Sequence, residues 1–304
     1  MKKHLFKSGK NTYKANLHCH TTVSDGTWTP EQTKEAYKSN GYSVVAFSDH
    51  NILVNHSHLN DDSFLAINSC EFAVVHRPPG APLSKLKTYH FNLFSGDPND
   101  SQTPPSMDMK YDDIDAINKY IADRNNEGFL VSYNHPYWSL QTYEDYSKLK
   151  GCFAMEIYNH CSEISDGYYG YCPQVYDELL RLDNKIHCLA TDDNHKPGDA
   201  FGGWVVINGD ALTYGNIMDS LKNGDFYSTQ GPEIYEISIE GDSLNIKCSD
   251  VSLIVVYTDG RACHTKKGEA LNEVTFTLRG DEKYIRVMCR DKEGKNANSN
   301  AYWL

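Results

Sequence analysis

The chain has 304 residues, 39% hydrophobic and 23% charged, with a formal net charge of −12. That length excludes a single small core and suits one large α/β unit with a small extra one, while the acidic balance excludes a stable nucleic-acid complex, which needs basic patches against phosphates. No run approaches the roughly 20 apolar residues of a membrane span, and the N-terminal MKKHLFKSGKNTYKANLH carries charges without an apolar signal core, so a cytoplasmic chain with no membrane partner is expected.

In chain order, residues 13–18 (YKANLH) predict a first strand. Thr29-Pro30-Glu31-Gln32 then opens a helix, with Thr29 as N-cap, Pro30 at its first position and Gln32 completing a capping box. Gly41 closes that helix. Residues 43–47 (SVVAF) read as a strand buried on both faces, and 64–68 (FLAIN) and 88–94 (TYHFNLF) as two more. Asp112 caps a helix to about Asn126, with Ile114, Ile117, Tyr120 and Ile121 on one face. Residues 129–133, 153–158 and 186–190 complete the strands, with helices at about 172–183 and 213–223. Such alternation predicts βαβ units and a parallel sheet, and at least six strands suggest a barrel-like closure. After Gly231-Pro232 the texture becomes short alternating runs, EIYEISIE, SLIVVYT, EVTFTLR and YIRVMCR, an antiparallel β pattern. Residues 76–87 and 95–108 read as loops over the mouth of a site.

The nine cysteines are scattered and form no CxxC pair, so buried, reduced thiols are expected and thiolate metal knuckles are not. The thirteen histidines are more informative, because many stand beside carboxylates at the ends of the predicted strands. The first strand ends at His18-Cys19-His20, the second at Ser48-Asp49-His50 and the third at Glu71. The fourth contains His90, the fifth runs into Asn134-His135-Pro136, and the last ends at Asp192-Asp193-Asn194-His195. In parallel β/α folds the C-terminal strand ends meet at one face, where active sites form. Side-chain direction alternates along a strand, so His18 and His20 point the same way, as do Asp193 and His195. Imidazoles mixed with carboxylates suit divalent transition metals. Any one of these motifs is weak alone; their joint placement points to a metal centre. With Asp25, the set comprises six histidines and three carboxylates, enough for two or three ions of Mn, Zn or Fe with positions left for water.

These segments resemble a known family. HCHTTVSDG with AFSDHN downstream is similar to the opening of the PHP (polymerase and histidinol phosphatase) family, and SCEF, His90, NHPYW and TDDNH continue that family's order of motifs. The resemblance spans about residues 13–230; FYSTQGPEI and the late AYW resemble members with a small C-terminal β domain. It implies a distorted (β/α)7 barrel over residues 1–231 and an antiparallel β domain over 232–304. By position, it implies that His18 and His20 hold a first metal with Asp193, and that Glu71 bridges the first and second metals. His90 and His135 would complete the second site, and Asp25, His50 and His195 would hold the third. Many members carry His where this chain has Asp25. Asp192 is the alternative to Asp193, which keeps the D-x-H spacing.

The implied activity is hydrolysis of a small anionic phosphoester, whether a phosphomonoester, a nucleotide or a short oligonucleotide. Glu71, Asp193 and His195 are the catalytic candidates, and His195 or a third metal would assist the leaving oxygen. Arg77 is a phosphate clamp or a solvated loop residue, and Lys196 is a second substrate-side candidate. Tyr137 and Trp138 stack on substrate or pack the rim, and Glu156 and His160 are expected to support the ligands. Amidohydrolase-type C–N hydrolysis and a non-catalytic metal- or ligand-binding module are the rival readings. A glutamate at the bridging position, where related amidohydrolases often carry a modified lysine, favours the phosphoester. The β region is expected to cap the site, to mediate a homo-oligomer or to stabilise the barrel.

Overall fold

The protein is described by a computed structural model covering residues 2–165, 167–261 and 263–304. Its elements are β1 (Lys3–Lys7), β2 (Thr12–Asn16), α1 (Pro30–Ser39), β3 (Val44–Phe47), β4 (Leu65–His76), β5 (Lys87–Phe94), α2 (Ile114–Asn126), β6 (Leu130–Tyr133), α3 (Tyr143–Tyr146), β7 (Ala154–Asn159), α4 (His160–Ser165), α5 (Pro173–Arg181), β8 (His187–Thr191), β9 (Trp204–Asn208), α6 (Tyr214–Asn223) and β10 (Phe226–Thr229). The C-terminal strands are β11 (Ile234–Glu240), β12 (Ser243–Thr258), β13 (His264–Thr277), β14 (Tyr284–Arg290), β15 (Asn296–Ser299) and β16 (Tyr302–Trp303).

Local chemistry sets the helix ends. Gln32 N–H donates to Thr29 Oγ1 (3.2 Å) and Thr29 N–H to Gln32 Oε1 (2.9 Å), closing the expected capping box. Gly41 takes φ 77° just past α1, where a side chain would be strained. The cap of α2 is Asp113, not Asp112: its carboxylate accepts from Ala116 N–H at 3.1 Å, and the helix starts one residue later than its acidic run suggests.

The architecture is mixed α/β, built on one continuous sheet. From β2 to β8 the strands follow chain order. The expected all-parallel sheet is corrected at β5, which pairs antiparallel with both β4 and β6. The link from β4 to β5 contains only a short 3-10 turn, Leu83–Lys85, and a parallel return needs a longer crossover. The reversal sends β5 away from the strand-end face, so His90, early in it, lies opposite Ala73, near Glu71. The two ends of this seven-strand arc meet beyond their last residues. Asp193 N–H donates to His18 O (3.0 Å), His20 N–H donates to Asn194 O (3.1 Å), and Cys19 bridges Asn194 in parallel register. Along its own length β2 pairs instead with β9, which leads through β10 to β15 and the C-terminal strands.

The first strand was not expected: β1 pairs antiparallel with β11, and Phe6 is buried in the C-terminal apolar cluster against Tyr227. Helices α2, α5 and α6 cover the arc with Ile117 and Ile121, Tyr176 and Leu180, and Ile217 and Leu221. All nine cysteines are free thiols, six of them buried. Among the described residues, no helix is long and apolar enough to cross a membrane.

His56, which fits no motif, is buried beside Phe47 (ring centroids 4.6 Å apart), and neither ring nitrogen has a hydrogen-bond partner among the described residues. Burial lowers its pKa from 6.5 to about 4. The folded state therefore holds the ring neutral. That contribution is intact above about pH 6.5 and is lost as pH falls toward about 4. Between about pH 7 and about pH 5 the expected loss is about 2 kcal/mol. Urea unfolding of the wild type and of His56→Leu at both pH values checks this. The wild type should lose about 2 kcal/mol more than the variant, and equal losses would clear His56 of any role.

Candidate metal centre

The first segment of the site is fixed by Asp49. Its carboxylate accepts from the backbone N–H of Thr21 (2.8 Å) and Ser24 (3.1 Å) and from the hydroxyls of Thr21 (2.9 Å) and Ser24 (2.8 Å), folding HCHTTVSDG into a tight turn. A Cβ at Gly26 would lie 2.4 Å from His20 O, so this turn admits only glycine. His18 and His20 point inward, while Cys19 faces an apolar cluster with Tyr37, Tyr42 and Phe47. His50 follows β3 and forms an isolated parallel bridge with Glu71. His135 and Asp193 take positive φ angles of 24° and 53°, strained for side-chain-bearing residues and consistent with a functional constraint.

Glu71 is the hub. Its Oε1 lies 3.3 Å from His18 Nε2, 3.0 Å from His90 Nδ1 and 3.5 Å from His135 Nε2, and its Oε2 lies 3.1 Å from His50 Nδ1 and 3.6 Å from His20 Nε2. Asp193 Oδ1 is 3.1 Å from both His18 Nε2 and His20 Nε2. Asp25 reaches the far side, 3.6 Å from His50 Nε2 and from His195 Nε2. Three groups can each offer ligand atoms within 4.8 Å of one another: His18 with His20 and Asp193; His18 with Glu71 and His135; and His20 with Asp25, His50 and His195. All nine expected residues thus converge, with His20 also placed at the Asp25 end.

Burial works to raise the Glu71 pKa, but His90, His18 and His135 outweigh it and hold the carboxyl well below its usual range. His18 shows the converse: burial lowers its pKa, but Asp193, Glu71 and Glu156 raise it well above normal. His50 is driven up to about 9, Glu71 and Asp25 overcoming its burial.

A second layer orients these groups. Glu156, expected to support the ligands, accepts from His18 Nδ1 (2.7 Å), Thr191 Oγ1 (2.7 Å), His135 N–H (2.9 Å) and Asn159 Nδ2 (2.9 Å). The bond to His18 puts the proton on Nδ1 and leaves Nε2 for the centre. Asn134 Nδ2 donates to Glu71 Oε1 (2.9 Å) and Asn159 Nδ2 to Asp193 Oδ2 (3.0 Å). Sequence reasoning missed Asn134, Asn159 and Thr191. Asp192 is used otherwise: its oxygens accept from the N–H groups of Phe201 (2.8 Å), Gly202 (2.8 Å) and Gly203 (2.9 Å), and burial raises its pKa to about 6. Asp193 is the carboxylate that reaches the cluster. His160 bonds Tyr158 Oη (2.8 Å) and, among the described residues, has no hydrogen bond to any of the nine candidate ligands.

No family model matches the chain, and no curated relative does. Solved structures do. A two-domain protein from Bacteroides vulgatus containing a predicted PHP-like metal-dependent phosphoesterase aligns over 99% of this chain and 98% of its own, with 14% identity and a TM-score of 0.50. The chain shares that protein's fold. A putative metal-dependent phosphoesterase from Bifidobacterium adolescentis aligns over 60% of this chain and 87% of its own (14% identity, TM-score 0.38). The lesion-specific endonuclease EndoQ from Pyrococcus furiosus aligns over 70% and 56% (15% identity, TM-score 0.43).

Of the residues expected to meet substrate, Arg77 is exposed and lines a cavity of about 490 Å³ shared with Val75, Leu83, His90, Trp138 and Tyr169. Trp138 stands edge-on to His135 (5.0 Å) and His90 (6.1 Å), and Tyr137 pairs with Tyr169 (4.8 Å). Lys196 is exposed and reaches Asp199 at 3.8 Å, away from this cavity's lining.

Proposed function

We propose that the chain is a metal-dependent hydrolase that cleaves a small anionic phosphoester, using two or three ions of Mn, Zn or Fe held by the nine residues above. The observation that carries this reading is the buried Glu71 carboxylate, set within 3.6 Å of five histidines, with Asp193 facing two of them on the other side. The donor set fits such ions: six imidazoles and three carboxylates converge, and the buried His20 Nδ1 has no hydrogen-bond partner among the described residues. In this reading His18, His20 and Asp193 hold the first ion, Glu71 is shared, His90 and His135 hold the second, and Asp25, His50 and His195 the third.

Bound ions would supply activated water at neutral pH and offset charge on the phosphoryl oxygens. The protein's own part is positioning. Glu156 fixes the His18 tautomer, Asn134 and Asn159 hold the two central carboxylates, and Trp138 shields the inner imidazoles. Arg77 orients the phosphate at the mouth, and His195 stands on the leaving-group side. We read β2–β8 as a distorted (β/α)7 barrel of residues 1–231, with a β domain of residues 232–304 that also takes β1. A cytoplasmic site of action and a homo-oligomer go with this reading.

Phosphate release by protein reconstituted in turn with Mn, Zn and Fe(II), across phosphomonoesters, nucleotides and short oligonucleotides, tests it. Metal-dependent release supports it. Failure with every substrate, in folded and metal-loaded protein, would favour C–N hydrolysis or a binding module. Arg77→Ala should raise KM about tenfold with a smaller change in kcat, the loss of one charge-assisted contact of about 1.5 kcal/mol. An unchanged KM would return Arg77 to the solvent.

A further inference from the structure

We propose that Cys161, His195 and Asp199 form a separate zinc site with a thiolate ligand, and that zinc bound there takes His195 away from the nine-residue centre. One ligand atom from each of the three lies within 4.8 Å of the others. Cys161 is the second residue of the α4 segment, its N–H donating to Asp192 O at 2.9 Å, and Asp199 ends the turn that follows His195. None of the nine central residues carries sulfur, so this is a chemically different donor set. A thiolate, an imidazole and a carboxylate favour zinc over manganese, and three ligands leave a fourth position for water.

Asp199 supplies the independent observation. It is 1% exposed, yet its hydrogen-bond and ion-pair partners among the described residues are long: His195 N–H at 3.3 Å, Ser165 Oγ at 3.4 Å and Lys196 Nζ at 3.8 Å. A buried carboxylate is ordinarily held by short charge-assisted bonds of about 2.7–2.9 Å. This one keeps capacity to accept a cation beside an imidazole and a thiol. Together, thiolate and carboxylate balance the two charges of the ion, and the Cys161 S–H proton leaves to solvent as the Zn–S bond forms.

Exclusion follows from the His195 ring. Its Nδ1 lies 2.9 Å from Asp193 O, and a carbonyl only accepts, so Nδ1 carries the proton and Nε2 holds the free lone pair. That Nε2 also faces Asp25 Oδ1 at 3.6 Å, within the group of His20, Asp25 and His50. One lone pair serves one ion. Zinc at Cys161 and Asp199 therefore competes with an ion at Asp25 and His50. The inhibition this implies rests on the proposed hydrolase reading; the binding does not.

Cobalt(II) separates the two. The full chain is first loaded with manganese and then titrated with cobalt(II). A near-ultraviolet thiolate-to-cobalt charge-transfer band is expected, reversed by added zinc. Cys161→Ser should abolish the band, and Asp199→Asn should keep it while weakening metal affinity more than about tenfold, since even outer-shell changes cost about 10–100-fold. No band in the wild type, an undiminished band in Cys161→Ser, or unweakened binding in Asp199→Asn would overturn the site, whatever the enzyme hydrolyses. In the manganese enzyme, zinc should lower phosphate release, and Cys161→Ser should need more than about tenfold more zinc for the same fractional loss. Equal zinc sensitivity would overturn the competition for His195.

Discussion

Glu71→Gln is expected to lower metal-dependent hydrolysis by about 1000-fold or more and to reduce the metal retained after desalting. The side chain is 1% exposed and within 3.6 Å of nitrogens from His18, His20, His50, His90 and His135. The amide keeps the shape and removes the charge. It then presents an NH₂ to at least one position where every neighbour needs an acceptor or an anion, so it cannot serve two ions at once. Glu156→Gln gives the scale. Glu156 touches His18 through Nδ1, on the far side of the ring from the cluster, so its loss should cost about 10–100-fold, as other orienting carboxylates do. Elemental analysis of both variants beside their phosphate-release rates checks the pair. Glu71→Gln retaining its metals and activity within tenfold of wild type would remove Glu71 from the bridging position and with it the proposed mechanism.

The contrast between Glu71 and Asn159 shows what the sequence makes legible. Candidate metal ligands are legible because histidine and carboxylate types recur where apolar runs stop, and β-strand periodicity sends His18 and His20 to one side. The convergence of nine distant residues was readable for that reason. Asn159 also ends its strand, β7, and holds both Glu156 and Asp193. An asparagine at a strand end carries no metal signal, and neither do Asn134 and Thr191. The direction of β5 was hidden differently. TYHFNLF has the same alternation whichever way it runs, and only the shortness of the link before it, which holds no α-helix, argues for reversal. β1 was hidden by composition: KHLFK is mostly charged, and its pairing with β11 depends on more than 220 residues of intervening chain. Asp192 and Asp193 were separable by spacing alone, but the reason is physical. Three backbone N–H groups from 201–203 consume Asp192, leaving Asp193 to face the histidines.

Asp177→Ala is expected to destabilise the protein by about 3–5 kcal/mol, lowering Tm by roughly 10 °C, more than any single loss outside the metal centre. Asp177 lies on α5, over the β2–β8 arc, and Arg286 on β14 of the C-terminal strands. Arg286 Nε and Nη2 donate to the two Asp177 oxygens at 2.6 and 2.7 Å, and the guanidinium lies 3.9 Å over the Tyr257 ring. The arginine is 1% exposed, and among the described residues its Nη1 is buried without a hydrogen-bond partner and Asp177 is its one ion-pair partner. Burial favours loss of its charge, and the Asp177 bonds more than reverse this. Removing the carboxylate strands a cation between the two halves. Removing the cation is gentler, because the Asp177 side chain is 14% exposed and can turn to water. The expected order of stability is therefore wild type, Arg286→Met, Asp177→Ala, with the double variant Asp177→Leu/Arg286→Met recovering much of the loss by replacing a buried pair with apolar contact. Thermal and urea unfolding of the four proteins tests the order. A double variant no better than Asp177→Ala would show that the helix–sheet contact depends on more than charge neutrality. Wild-type stability in Asp177→Ala would mean that water reaches Arg286 and that the apolar surfaces around Tyr176 and Tyr284 hold the C-terminal strands in place on their own.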